Sequence, residues 1–451
     1  MNEIIAQTLR DFSLDDYRPI IARDLDLGDV LSPRAGNLVK VIVGMRRSGK
    51  SYRLFQEMDA VHKSGVPWSR ICYFNFEDDR LYPVTSVTGD EVMHAFYSMH
   101  PEAIEEGAYF FFDELQEMDA WGAWLRRIVD TKKATIYVSG SSSQMLSSEI
   151  STEFRGRAID FELLPCSFRE SLRFGEYREL PDETGFFSLE DSVRLERAFA
   201  SYLERGGFPS VQALPFPQSV LLLQSYVQRV VARDVIERHD VRRARVVSAL
   251  SRRILESNAR TVSVRKIEND FRSAGLSTSR ELLGDLLSYF EQAYLVFQVR
   301  ELSRSLSESS TAPPKVYAID PGLALANSRA SVNDEGQRLE NAVYLELRRR
   351  SVGFRRDEIS SMRTRTHGYE IDFVRGDAIS SEAYELYQVS VSVEDERTRE
   401  RELRALWEAM EEHGLDRSVL IVGRGDSATY EQNGMRIDQI PAWKWLLRDE
   451  G

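Results

Sequence analysis

Only two cysteines, Cys72 and Cys166, occur in the 451 residues. They make neither a disulfide framework nor a metal-ligand spacing, which points to a reducing, cytoplasmic setting. No apolar run approaches the roughly 20 residues that a bilayer-spanning helix needs, so no membrane role is expected. The opening Met1-Asn2-Glu3-Ile4-Ile5 lacks the basic start and apolar core of a secretory leader. No internal repeat is visible, which argues against a solenoid. Positive charge is also scarce: 59 Lys and Arg stand against 72 Asp and Glu, a formal net charge of −13. That balance argues against a general polyanion binder, while a local basic patch can survive it. What the chain does have is 42% hydrophobic and 10% aromatic residues, enough to fill real cores. Its length predicts two to four domains.

The sharpest local signal is Val41-Ile42-Val43-Gly44-Met45-Arg46-Arg47-Ser48-Gly49-Lys50-Ser51. An apolar strand runs into Gly, four residues, then Gly-Lys-Ser, and a helical pattern follows from Ser51 to His62. This is the P-loop pattern in its required strand–loop–helix context. Gly44 lets the chain leave the strand sharply, and Gly49 keeps a Cβ out of the way of a phosphate. The loop from Gly44 to Ser51, including Met45, Arg46, Arg47 and Ser48, is therefore the predicted phosphate cradle. Lys50 offers a point charge between the β- and γ-phosphates, and the Ser51 hydroxyl offers a ligand for Mg²⁺.

Continuous apolar runs at Ile71–Phe76 and Tyr109–Phe112 and a further run at Thr135–Val138 suit parallel strands buried on both faces. The second ends in Asp113-Glu114. An acid at such a strand end can hold Mg²⁺ through water, so Asp113 is the expected metal-site residue. The next acid can activate the attacking water, so Glu114 is the expected base. The plain alternative is a strand ending in solvated acids. Ser139 to Ser143, Ser141 among them, can sense the nucleotide or cap a helix starting near Gln144. Arg155 or Arg157 can stabilise charge on a transferred phosphoryl group, in cis or across a subunit boundary; the alternative is a surface arginine pair.

These segments together resemble prokaryotic AAA-type ATPases: Gly44 to Ser51, Phe112-Asp113-Glu114-Leu115-Gln116, Ser139-Gly140-Ser141-Ser142-Ser143 and Arg155-Gly156-Arg157. So do Leu164-Pro165-Cys166-Ser167-Phe168-Arg169-Glu170 and Gly206-Gly207-Phe208-Pro209. The closer likeness is to the group that carries a C-terminal nuclease-like domain of unknown function. The resemblance implies ATP and Mg²⁺ as ligands, a sensor among Ser139 to Ser143, and an arginine finger at Arg155 or Arg157. It says little about biological purpose.

Downstream, residues 218–238 read as a helix. Arginines crowd its end and beyond, at Arg233, Arg238, Arg242, Arg243, Arg245, Arg252 and Arg253. This stretch is either a nucleic-acid patch or a face paired with Asp234, Glu237 and Asp240. Residues 246–302 fit a winged helix, with wing strands at 294–299 and 316–319 and a Ser-rich tip at 303–314. Its third helix carries Arg280 but also Glu281, Asp285 and Glu291, a poor set for reading DNA.

The C-terminal pattern resembles a restriction-endonuclease fold, whose active members carry a helical acid, an Asp, and Glu-x-Lys on the next strand. Glu340 and Asp372 match the first two. Gln388 and Ser390 stand where Glu and Lys belong, and Glu385 faces the other way along a regular strand unless a bulge turns it. Metal-dependent cleavage is therefore not expected. The organisation predicted is an α/β fold: lead-in 1–35, a P-loop AAA-type core with a parallel sheet at 36–175, and a helical lid at 176–245. A winged helix at 246–330 and an inactive nuclease-like domain at 331–451 complete it. ATP hydrolysis is expected to drive domain rearrangement. ATP or ADP is the expected ligand, and a second copy, DNA or another protein are open as partners. The runner-up is a nucleotide-switched binding module with little turnover.

Overall fold

The computed structural model describes residues 2–141, 156–175, 187–302, 312–328, 335–351, 358–377 and 380–448. The chain separates into two compact units, Met1–Leu164 with Gln292–Tyr294, and Pro165–Glu291 with Leu295–Gly451.

In the first unit, five strands form one parallel sheet: β1 Val39–Val43, β2 Ile71–Asn75, β3 Ala108–Asp113, β4 Ala134–Gly140 and β5 Ala158–Glu162. Their order across the sheet is β2-β3-β4-β1-β5. The strands β1 to β4 are largely apolar at successive positions because both faces are covered, Lys40 in β1 being an exception. Val39, Val41, Val43, Phe110, Phe112, Ile136 and Val138 enter one core with Trp124 and Leu125 of the helix Trp121–Thr131. Ile42, Phe111 and Tyr137 enter the other with Leu54, Phe55 and Met58 of the helix Lys50–Lys63. β5 is a half-exposed edge strand, and its alternating acids hid it from the sequence reading.

The lead-in, residues 2–35, packs into this unit. Leu14 and Leu27 sit in the second core. Lys40 of β1 is buried and donates its Nζ to the carbonyls of Gly28 (3.2 Å) and Asp29 (2.6 Å). Arg53 Nε donates to the Leu25 carbonyl at 3.0 Å. Buried cations need such acceptors, and here the N-terminal segment supplies them.

The second unit begins with helices Leu189–Arg205 and Phe216–Arg229, the latter continuing as a π-helical stretch Val230–Glu237. Next come helix Ala244–Glu256, β6 Arg260–Thr261, helices Val264–Ser273 and Arg280–Gln292, then β7 Val296–Val299 and β8 Lys315–Ala318. The strands pair in the order β6-β8-β7. The short β6 carries no sequence pattern that would reveal it. Residues 303–311 of the expected wing tip lie outside the described residues.

The C-terminal residues form a mixed sheet in the order β13-β14-β12-β11-β10-β9. Its strands are β9 Ile359–Arg363, β10 Glu370–Asp377, β11 Glu382–Ser392, β12 Arg417–Arg424, β13 Ala428–Gln432 and β14 Met435–Pro441. Helix Glu396–His413 buries Leu406, Ala409 and Met410 against Ile371, Leu386 and Leu420. The expected strands and helices of residues 339–422 are present, and Trp443 and Trp445 are buried as the tail pattern implied. The hairpin β13–β14 and the strand β9 are additions.

Candidate nucleotide site

The loop after β1 is shaped by backbone need. Gly44 has φ +155°, and a Cβ there would lie 2.2 Å from the Leu163 carbonyl oxygen, so no side chain is tolerated. Arg47 at φ 71° and Gly49 at φ 101° continue the left-handed path into the helix that starts at Lys50. Met45 and Ser48 are fully buried. The helix of 14 residues presents its N-terminal N–H groups and positive dipole end at the loop.

Sequence-distant residues converge here. Asp113 ends β3 and is wholly buried. Its Oδ2 accepts from Tyr73 Oη at 2.9 Å, its Oδ1 accepts from Ser139 Oγ, and Ser51 also bonds to it. Burial and then the neighbouring Glu114 push its carboxyl up, and those three hydroxyls only partly offset this. Glu114 sits in the left-handed region at φ 50°. Its N–H donates to Ser139 Oγ at 3.1 Å, so one hydroxyl ties both acids to the end of β4.

The Glu114 carboxylate faces Lys50 Nζ at 3.4 Å and Arg46 Nη1 at 3.9 Å. Burial raises its pKa, but the two cations outweigh burial and hold it below the usual carboxylate range. Gln116 Nε2 bridges Glu114 Oε2 (2.5 Å) and Ser141 Oγ (3.2 Å). Arg46 also pairs with Glu77 (2.9 Å) and Glu117 (3.0 Å). Lys50 donates to the Met45 carbonyl at 3.3 Å.

Three residues escaped the sequence reading. Arg23 lies under the loop, donating to the carbonyls of Ser48 (2.8 Å) and Leu164 (2.7 Å). In sequence it is one of several scattered arginines and carries no signal. Tyr73 looked like core, because only the fold puts its hydroxyl beside Asp113. Gln116 stood next to the paired acids, and its proximity was the one usable hint.

Of the two forms of the finger expectation, in cis or across a subunit boundary, the fold does not favour the first for Arg157. Parallel strands put all their first residues at one edge of the sheet. Arg157 precedes β5, and its carbonyl accepts from Val39 N at 2.9 Å, at the start of β1. The loop lies past the other end, about 16 Å away at the usual rise per strand residue. The guanidinium instead pairs with Asp130, the two side chains being 50% and 47% exposed. Arg157 therefore lies away from the loop of its own chain. Arg155, Ser142, Ser143 and Gln144 lie outside the described residues.

The residues fit a nucleotide and a divalent cation. Ser48 Oγ is buried without a hydrogen-bond partner among the described residues. Such an orphan is costly unless a ligand satisfies it. Asp113 and Ser51 bond to each other, a carboxylate and a hydroxyl of the kind that Mg²⁺ takes with a phosphate. A parallel sheet with a P-loop leaving β1, paired acids leaving β3 and a strand interposed between the two defines a P-loop nucleotide-binding protein.

Comparison with known proteins narrows this class. The model of an AAA domain matches residues 36–172, and that of a domain of unknown function (DUF8612) matches residues 196–334. An uncharacterized protein of Methanocaldococcus jannaschii is 32% identical over 434 residues, covering 95% of this chain and 91% of that protein. An uncharacterized protein of Haemophilus influenzae is 26% identical, with 96% and 100% covered. The chain belongs to this prokaryotic family of AAA-type P-loop ATPases. Among solved structures, the ORC1 protein of Aeropyrum pernix in complex with DNA is 15% identical, with a TM-score of 0.29 and coverage of 66% of this chain and 86% of that one. Cdc6p of Pyrobaculum aerophilum is 12% identical, with a TM-score of 0.24 and coverage of 58% and 80%. No helix among the described residues is long and apolar enough to cross a membrane.

Proposed function

We propose that this protein binds ATP with Mg²⁺ and hydrolyses it. One observation carries the reading: Lys50 Nζ, at the head of the loop helix, lies 3.4 Å from Glu114 Oε1 at the end of β3, with Ser51 bonded to Asp113 beside them. The roles follow from that meeting. The N–H groups from Met45 to Lys50 and the Lys50 ammonium hold phosphate oxygens. Ser51 and Asp113 hold the metal, which when bound supplies charge neutralisation at the phosphates. Glu114, kept ionised by Lys50 and Arg46, takes the proton of the attacking water. Ser139 fixes both acids, and Gln116 orients the Glu114 carboxylate.

Glu114→Gln tests the assignment. It should keep nucleotide binding and lower phosphate release by about 10²-fold or more, the usual worth of a general base. Normal turnover in that variant would refute the role.

The exposed position of Arg157 supports a finger that acts in trans, on the nucleotide of a neighbouring copy. The order helix, β6, two helices, β7, β8 supports reading residues 244–318 as a winged helix, and the mixed sheet with Glu340 and Asp372 supports the nuclease-like assignment for the C-terminal residues. Hydrolysis driving a rearrangement of these modules belongs to the same reading. Small-angle scattering with ATP and with ADP tests it, identical curves counting against it.

A further inference from the structure

Outside the nucleotide site, a charged cluster lies in the cleft of about 690 Å³ between β8, the helix Glu335–Arg350 and the strands β10 and β11. Lys315, the first residue of β8, points into it with only 10% of its side chain exposed. Its Nζ lies 2.7 Å from Glu370 Oε1, 3.1 Å from Glu340 Oε1 and 3.5 Å from Asp372 Oδ1. Three acids thus surround the ammonium, which donates to Glu340 and Asp372 and pairs with Glu370.

The acids are themselves held in place. Glu340 Oε1 also accepts from Tyr317 Oη at 2.7 Å. Asp372 Oδ2 accepts from Val389 N at 2.9 Å. Gln388, at the position of the motif's third acid, uses its Oε1 to accept from Asp372 N (3.2 Å) and its Nε2 to donate to Glu402 (2.8 Å). Glu385, the residue a bulge might have recruited, pairs with Arg375 at 3.0 Å instead. The nuclease-like pattern implies a divalent cation at Glu340 and Asp372, and these residues do not fit one. A cation bridging the two carboxylates would occupy the volume of the Lys315 ammonium, and two positive centres cannot share it. A hydrolytic lysine would face water or phosphate, whereas this ammonium is enclosed by three acids.

We propose that the Lys315 ammonium is a built-in cation that takes the place of the divalent ion in the Glu340–Asp372 pair, so that the C-terminal module binds no catalytic metal and cuts no nucleic acid. The missing lysine of the strand motif has a counterpart from another element, and it acts as a plug. Its carboxylate tripod ties β8 to the C-terminal sheet.

Mn²⁺ uptake by the full-length, nucleotide-free protein tests this, read from the paramagnetic signal of free Mn²⁺. Wild type and Asp372→Asn should take up equal amounts, because any weak uptake at the P-loop is common to both. Lys315→Met should gain one equivalent, and that gain should vanish in K315M combined with D372N. An equivalent bound by wild type and lost in D372N would overturn the proposal, as would Mn²⁺-dependent plasmid nicking by wild type that D372N abolishes. A folded K315M with no gain would overturn it too. If K315M does not fold, the comparison of wild type with D372N decides alone, with Glu340→Gln in place of D372N if that variant is unstable.

Discussion

Glu114 and Arg47 both hold left-handed backbone, at φ 50° and 71°. Non-glycine residues avoid that region at a cost of about 1–2 kcal/mol, and such outliers gather where function over-determines the conformation. At Glu114 the conformation turns the carboxylate back towards Lys50 and Arg46. Arg46→Ala removes one of the two charges that hold the Glu114 pKa down. The carboxylate then protonates at higher pH, so the acidic limb of the ATPase rate should move upward; profiles between pH 4.5 and 8 read the shift. An unmoved limb would mean that Glu114 is not the titrating base. The acids, Lys50 and Ser51 were legible in sequence because each carries its chemistry in a short fixed pattern. Arg23 and Tyr73 were not, because they reach the site from residues that look like lead-in and core. Only the parallel register of β2 with β3, Asn75 opposite Asp113, brings the Tyr73 hydroxyl to that acid.

Two close approaches fix how elements meet. Val43 and Leu163 are joined by a 2.7 Å backbone hydrogen bond where β1 and β5 end, leaving no room for a Cβ at Gly44. Gly44→Ala should cost about 1–3 kcal/mol through overpacking and weaken nucleotide binding with it, as thermal melts with and without ATP would report. The second approach joins the Gly206-Gly207 turn to the helix Pro321–Asn327. Asp320 caps that helix at Leu323 N (2.8 Å) and accepts from Gly207 N (2.6 Å). Asp320→Asn turns one acceptor into a donor facing an N–H. The loss should be about 1–3 kcal/mol, the cost of an unsatisfied buried group, seen as a lower urea midpoint. Elements with strong period or continuous apolar character were readable, as for β1, β3 and the helix Glu396–His413. Edge pieces were not: β5 alternates with acids and β6 has two residues, too little pattern for any period to register.

At the scale of the whole molecule, the proposed trans role of Arg157 would make a chain's activity depend on its neighbours. Its guanidinium is on the sheet edge opposite the loop, so a lone copy should bind nucleotide and turn it over poorly. Arg157→Ala should leave binding intact and lower turnover by about 10³-fold, the low end of what an arginine finger supplies. Mixing R157A with E114Q should restore part of the phosphate release, since each supplies what the other lacks. A mixture as inactive as its parts would remove the trans finger. All of this presupposes that a triphosphate docks at the loop after β1. Calorimetric titration of ATP with Mg²⁺ into wild type and Lys50→Ala tests that most directly. The account predicts saturable heat for one site per chain in wild type and affinity at least about tenfold weaker, some 1.4 kcal/mol, in K50A. Absence of heat in wild type, or equal binding by the two proteins, would contradict it.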